Sequence, residues 1–151
     1  MNATATSIAS VLNHLIETCK DGQDGFRFAA EDVRSADLKS FFHELSGQRA
    51  QFATELQHLV SDIGEIPEDG GSISAVLHRG WIELKSTLTS GDEHAILAEC
   101  ERGEDSAVAA YRDALDHDEM PDTVRGVIRQ QFMAVHAAHD RVRDLRDRFQ
   151  K

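Results

Sequence analysis

The sequence predicts an all-α protein, folded as an antiparallel four-helix bundle in a single domain over residues 1–151. Apolar residues recur every three or four positions along most of the chain, which is the period of an amphipathic helix. The chain contains 40% hydrophobic and 28% charged residues and only two prolines, a balance typical of helical proteins. With 151 residues it can bury one hydrophobic core without a metal or a disulfide to stabilise it.

The first predicted helix covers about residues 7–34. Two glycines, Gly22 and Gly25, lie in one turn of it. A glycine inside a helix costs about 1 kcal/mol relative to alanine, so the two must be offset by close packing or mark a local irregularity. Phe28 lies on the face opposite the core, which suggests a contact with another subunit or with the segment between helices two and three. The acidic residues of that face are predicted to lie in solvent: Glu17, Asp21, Asp24 and Glu31.

The second predicted helix covers about residues 37–63, with Asp37 as its candidate N-cap. Glycine, proline and acidic residues are concentrated in residues 64–72, which predicts a loop. A shorter helix is predicted over residues 73–88. We expect Trp81 to anchor this short helix on the bundle, with a role in a partner surface as the alternative.

A break at residues 89–92 precedes helix three, predicted over about 93–116, and helix four follows from Pro121 to about 150. The short helix and its flanking loops are long enough to span the whole length of a long helix. Helices two and three can then start at the same end, with a long crossover between two hairpins, as in ferritin-like folds. A simple up-down-up-down order is the alternative, if the short helix folds aside.

Charge and composition exclude several classes of function. The net charge of -11 argues against nucleic-acid binding and against an anionic membrane surface, because both need a clustered basic face. No apolar run reaches the roughly 20 residues of a membrane span, and residues 1–10 lack the features of a signal peptide. Two widely separated cysteines are typical of reduced thiols. We therefore expect a cytoplasmic protein.

Three segments of the chain carry a resemblance to a known family. They are LIETCKDGQDGFRFAAEDV (residues 15–33), LHRGWIELKSTL (77–88) and AECERGEDSAVAAYRDAL (98–115). They resemble a bacterial four-helix-bundle family that is classed as ferritin-like and known as a domain of unknown function. The resemblance covers nearly the whole chain and implies a ferritin-like bundle in a bacterial cytoplasm. It implies no established activity, but the ferritin-like class makes a dinuclear metal site the natural hypothesis.

The residues do not complete the pattern of such a site. A dinuclear centre needs an inward glutamate on each of two helices and an inward Glu-x-x-His on each of the other two. On helix one the acidic residues lie opposite the apolar face. Helix two contains Glu55 and His58 at the required spacing, but His58 points away from the apolar face. Helix four has no glutamate at the required position.

Glu104 is the carboxylate that helical spacing places most clearly inside the core. Arg49 occupies an inward position on helix two, and counting turns places both residues near the middle of the bundle. Buried charges in proteins are generally paired, so we predict an ion pair between Arg49 and Glu104. The remaining hydrogen bonds of this buried polar core are assigned to nearby polar residues: Gln23, Gln131 and His139.

The alternative is a metal site for iron or manganese. Two of its candidate ligands, His136 and His139, lie three residues apart and share one helix face. They could also form a metal site on the surface or between subunits. Arg49 argues against a metal in the core, because its positive charge repels a dication. Cys19 and Cys100 are predicted to be small buried hydrophobic residues. The full alternative ligand set is Glu101, Glu104, His136, His139, Glu55 and His58.

Two functions follow from these hypotheses. We prefer a non-enzymatic interaction or stress-related protein without a cofactor, which self-associates and whose polar core provides structural specificity. The alternative is a metal-binding protein or oxidase of ferritin-like type. No catalytic residue is predicted, and the partner expected is a second copy of the chain, with neither nucleic acid nor membrane.

Overall fold

A computed structural model describes residues 2–68 and 92–149 of the chain. This part of the chain forms four α-helices and contains no β-strand, which confirms the all-α prediction. Within the described ranges no helix is both long and apolar enough to cross a membrane. The helices are α1, Asn2–Asp32; α2, Ala36–Asp62; α3, Glu93–Leu115; and α4, Asp122–Phe149.

Local hydrogen bonds determine where the helices begin. Ser35 caps α2, because its hydroxyl oxygen accepts a hydrogen bond from the amide of Leu38 at 3.3 Å. The predicted cap, Asp37, lies inside the first turn instead. Asp92 caps α3, and its carboxylate accepts hydrogen bonds from two backbone amides of the first turn. The predicted short helix over 73–88, with Trp81, lies outside the described residues.

Contacts at both ends tie α1 to α3. At one end the carboxylate of Glu93 accepts hydrogen bonds from the amides of Arg34 and Ser35 at 2.7 and 2.8 Å. At the other end the hydroxyl of Ser7 lies 3.3 Å from Nε2 of His117. The start of α3 therefore lies beside the end of α1, and the start of α1 lies beside the end of α3.

The core contains two apolar clusters, one on each side of a polar level. Arg49 lies between Leu45 of one cluster and Ala53 of the other, and Glu104 likewise lies between Cys100 and Ala107. The large residues of the first cluster include Leu12, Leu15, Ile16, Leu56, Tyr111 and Ile128. Those of the second include Phe26, Phe42, Leu45, Ile96, Leu97 and Val142. The polar residues of the centre therefore separate two otherwise continuous hydrophobic regions.

One face of α1 differs from the prediction. Asp21 is only 5% exposed, so it does not belong to the acidic face in solvent. The reason is that α1 packs against both α2 and α3, which buries a wider arc than one apolar stripe. Glu99 of α3 is also buried, with 9% of its surface exposed, because α3 packs against both α1 and α4. Phe28 is exposed as expected, with 43% of its surface accessible.

Candidate functional site

The centre of the bundle contains a doubly hydrogen-bonded ion pair between α2 and α3. Nη1 and Nη2 of Arg49 donate to the two carboxylate oxygens of Glu104, each at 2.6 Å. Arg49 is 1% exposed and Glu104 is completely buried. This bidentate geometry is the strongest form of an arginine–carboxylate contact. The structure thus brings together the two residues that helical spacing placed at one level.

The surroundings of Arg49 keep its guanidinium charged. Burial alone lowers the pKa of Arg49, but the charge and hydrogen bonds of Glu104 outweigh burial and hold this pKa above its ordinary value. Nε of Arg49 also donates to the side-chain oxygen of Gln48 at 3.4 Å. The guanidinium carbon lies 5.4 Å from the ring centre of Phe26, within range of a cation–π contact.

Gly22 of α1 lies directly against Arg49. A Cβ atom at Gly22 would be 3.3 Å from Nη1 and 3.4 Å from Cγ of Arg49, which is closer than ordinary packing distances. A larger residue at this position would therefore press on a side chain whose guanidinium is bound by Glu104. Close packing, one of the two explanations that the sequence suggested for the glycines of α1, applies at Gly22.

A second chain of hydrogen bonds begins beside the ion pair and crosses the core. Sγ of Cys19 lies 3.1 Å from the hydroxyl of Tyr111, which donates to Oε1 of Gln131 at 2.6 Å. Nε2 of Gln131 donates to Glu55 at 2.9 Å and to the carbonyl of Phe52 at 3.4 Å. The chain thus connects a buried thiol with an exposed carboxylate on α2.

The thiol and the phenol of this chain are both neutral groups. Burial raises the pKa of Cys19 to about 11, even though the hydrogen bond to Tyr111 and the charge of Arg49 both lower it. Burial also raises the pKa of Tyr111 well above its ordinary value. Cys100 is buried as well, and burial raises its pKa in the same way. Neither cysteine is therefore an activated nucleophile.

Tyr111 was not among the residues predicted for the polar core. Its position, seven residues after Glu104, places it two turns further along the same face of α3. That spacing was the available signal, but a tyrosine on an apolar face resembles an ordinary core residue. The hydroxyl acquires its role from Cys19 and Gln131 on two other helices, which periodicity along α3 does not reveal.

Two residues assigned to the polar core lie elsewhere. Gln23 is half-buried, and its backbone carbonyl accepts a hydrogen bond from the hydroxyl of Ser46 at 2.9 Å. His139 contacts Asp105 on the surface of the bundle and not the ion pair. The reason is that its neighbour Ala138 takes the buried position of that turn, so the ring of His139 faces the edge of α3. Gln131, in contrast, is buried at the centre together with Arg49 and Glu104, as predicted.

The alternative ligand set does not converge on one point. Glu104 is bound by Arg49, and Glu55 accepts hydrogen bonds from Gln131 and Gln51. His58 is exposed on α2, and Nδ1 of His136 lies 3.5 Å from a carboxylate oxygen of Asp140. Of these residues, Glu101 and His139 do approach each other, at 3.8 Å.

Asp105, which the alternative set omitted, joins Glu101 and His139. The ligand atoms of these three residues lie within 4.8 Å of one another, and they form the one such group within residues 2–68 and 92–149. Burial lowers the pKa of His139, but hydrogen bonds to Asp140 and Asp105 outweigh it and raise this pKa above its ordinary value. Glu101 also binds the guanidinium of Arg146.

A protein family described as a domain of unknown function (DUF2383) matches residues 7–117 of the chain. The chain belongs to this family. The DUF2383 match contains Arg49, Glu104, Cys19 and Tyr111, whereas α4 lies outside it. The predicted membership of a family of unknown function is confirmed, and its ferritin-like class and bacterial origin stay predictions. No curated protein matches the chain.

Proposed function

We propose that this DUF2383 protein is a non-enzymatic helical bundle that acts by protein–protein interaction, with a structural ion pair at its centre. The observation that supports a structural role for the centre, and not metal chemistry there, is the buried, bidentate contact between Arg49 and Glu104. A dinuclear metal centre would need several carboxylates at that level of the core, with no arginine charge beside them. We also assign the protein to the bacterial cytoplasm, since two buried free cysteines suit a reducing compartment.

The fold that we propose is a ferritin-like bundle with α2 and α3 parallel. The end contacts of α1 with α3 support opposite directions for these two helices. The ion pair joins the middle of α2 to the middle of α3, while both helices start near Ser35. A crossover between two hairpins has this geometry, and it would use the short helix predicted at 73–88, outside the described residues.

The alternative function, an iron- or manganese-binding protein or oxidase, would require rearrangement of the centre. Both carboxylate oxygens of Glu104 accept hydrogen bonds from Arg49. A dication at this level would face the guanidinium charge at close range, where repulsion is strong in a buried site. Arg49 would have to leave its partner and find new hydrogen bonds inside an apolar core.

Elemental analysis tests the proposed function of the centre. Protein purified without chelators is loaded with ferrous iron or manganese, and the metal per chain is measured in wild type, Glu104→Gln and the exposed control Glu44→Gln. We expect Glu104→Gln to leave the metal content unchanged, because its carboxylate is already bound by Arg49. Stoichiometric metal that is lost in Glu104→Gln and retained in the control would overturn the proposal.

Self-association is the interaction that we propose first, and exposed apolar side chains support it. Phe28 is 43% exposed on α1, and the guanidinium of Arg27 lies 5.1 Å from the centre of its ring. Sedimentation over a range of concentrations should show a dimer or larger oligomer that Phe28→Ser shifts towards the monomer. Ile66→Ser, at another exposed apolar position, is the control. A wild-type chain that stays monomeric at all concentrations would contradict self-association.

A further inference from the structure

We propose that Glu101, Asp105 and His139 bind a single divalent transition-metal cation, such as Zn²⁺ or Mn²⁺, at the edge of the bundle between α3 and α4. The site shares no residue with the Arg49–Glu104 pair, and its failure would leave the proposed function intact. One imidazole and two carboxylates are ligands that both cations accept. A cation at this site would be mononuclear and would lie outside the core.

The distances within the site fit a common cation. Nε2 of His139 lies 2.6 Å from Oδ1 of Asp105 and 3.8 Å from Oε2 of Glu101. Ligand atoms that bind one cation at about 2.1 Å lie roughly 3 to 4 Å apart. Asp105 therefore has to retreat slightly, and its side chain, which is 64% exposed, is free to do so. The other two side chains are 14% and 16% exposed and are held by packing.

A second observation supports Nε2 of His139 as the metal-binding atom. Nδ1 of the same ring lies 3.2 Å from Oδ1 of Asp140, which lies outside the ligand group. An imidazole that donates its Nδ1–H to a carboxylate presents the lone pair of Nε2, and this arrangement accompanies most metal-binding histidines. Asp140 thus orients the ring so that Nε2 faces both proposed carboxylate ligands.

The charges around the ring favour a cation. Arg146 binds Oε1 of Glu101, which leaves Oε2 directed at His139. Arg143 lies 3.5 Å from the carboxylate of Asp140. Three carboxylates thus face two guanidinium groups, so negative charge is in excess once a cation has displaced the proton on Nε2 of His139. The bound cation would replace the proton that His139 otherwise shares with Asp105.

Titration with Co²⁺ and Zn²⁺ tests the site, with calorimetry and the visible absorption of bound Co²⁺ as readouts. We expect one cation per chain, and at least a tenfold loss of affinity in both Asp105→Asn and His139→Gln. Asp140→Asn, which removes the carboxylate behind the ring, should weaken binding by roughly tenfold. His58→Gln and Asp113→Asn, which change exposed residues of the same types elsewhere, should bind as wild type does.

Nitrogen-15 spectra of the histidine rings separate metal binding from a simple ion pair. Zn²⁺ should move the Nε2 signal of His139 and leave that of His58 in place. A His139 ring that keeps both protons when Zn²⁺ is added, or affinity that is equal in all variants, would overturn the proposal. Thermal unfolding of the metal-free variants checks that each one is folded before titration.

Discussion

Single buried side chains determine the electrostatics of the centre. Arg49 and Glu104 compensate for each other's burial, because each supplies hydrogen bonds that water would otherwise give to the other. Cys19 and Tyr111, in the same core, stay neutral because burial disfavours their anions. The centre therefore combines one compensated charge pair with neutral hydrogen-bonding groups.

The raised pKa of Cys19 predicts a loss of stability at alkaline pH. An unfolded thiol ionises near pH 9, whereas the folded one keeps its proton to about pH 11. The contribution of the protonated Cys19 thiol to the free energy of unfolding is complete below pH 9. It declines as the pH rises towards 11, because unfolding then releases a proton. In Cys19→Ala the slope of unfolding free energy against pH should be shallower by up to about 1.4 kcal/mol per pH unit.

Urea unfolding at several pH values between 8 and 11 measures this slope. Cys100 and Tyr111 also have raised pKa values, so the variant should retain part of the alkaline loss. A slope that does not change in Cys19→Ala would show that the thiol does not remain protonated in the folded protein.

At the scale of the helices, the backbone of α1 at Gly22 comes unusually close to a side chain of α2. Gly22 lies against Arg49, whereas Gly47 of α2 and Gly126 of α4 have no neighbouring atom within 4 Å of an added Cβ. The same substitution should therefore have opposite effects at these positions. Alanine gains helix propensity at all three positions, but at Gly22 it also presses on Arg49, whose guanidinium is bound by Glu104.

We predict that Gly22→Ala lowers the free energy of unfolding, and that Gly47→Ala and Gly126→Ala each raise it by about 0.5 to 1 kcal/mol. In an Arg49→Met background, where the obstructing guanidinium is gone, Gly22→Ala should become neutral or stabilising. Chemical denaturation of the six proteins measures this. Stabilisation by Gly22→Ala in the wild-type background would contradict the close contact.

The helices were predictable from the sequence, because apolar spacing is a local property. The ion pair was predictable because helical spacing places one cation and one carboxylate inward at the same level, and buried charges are generally paired. The position of His139 was not, since a residue next to a buried one can turn to either side of its helix, and the neighbouring helix decides which. Asp21 was misplaced for the same reason: α1 is covered on two sides. The spacing along α3 places Tyr111 on the inward face, but its hydrogen-bonding role depends on partners from two other helices, which that spacing does not reveal.

For the whole molecule, the polar level between two apolar clusters specifies how the helices align along their axes. A shift of α3 against α2 by one turn would separate Glu104 from Arg49 and bury both charges without a partner, which is strongly unfavourable. An apolar replacement of the pair would remove this penalty. We therefore expect Arg49→Met combined with Glu104→Leu to fold with a stability near that of the wild type.

A double-mutant cycle on Arg49 and Glu104 tests the structural role of the centre most directly. The free energy of unfolding in urea is measured for wild type, Arg49→Met, Glu104→Leu and the double variant, with Arg49→Lys as a milder change if a single variant does not fold. Each single change should cost about 3 to 5 kcal/mol, and the double variant should recover most of that loss. Small, additive losses of less than about 1 kcal/mol would contradict a structural ion pair at the centre of the bundle.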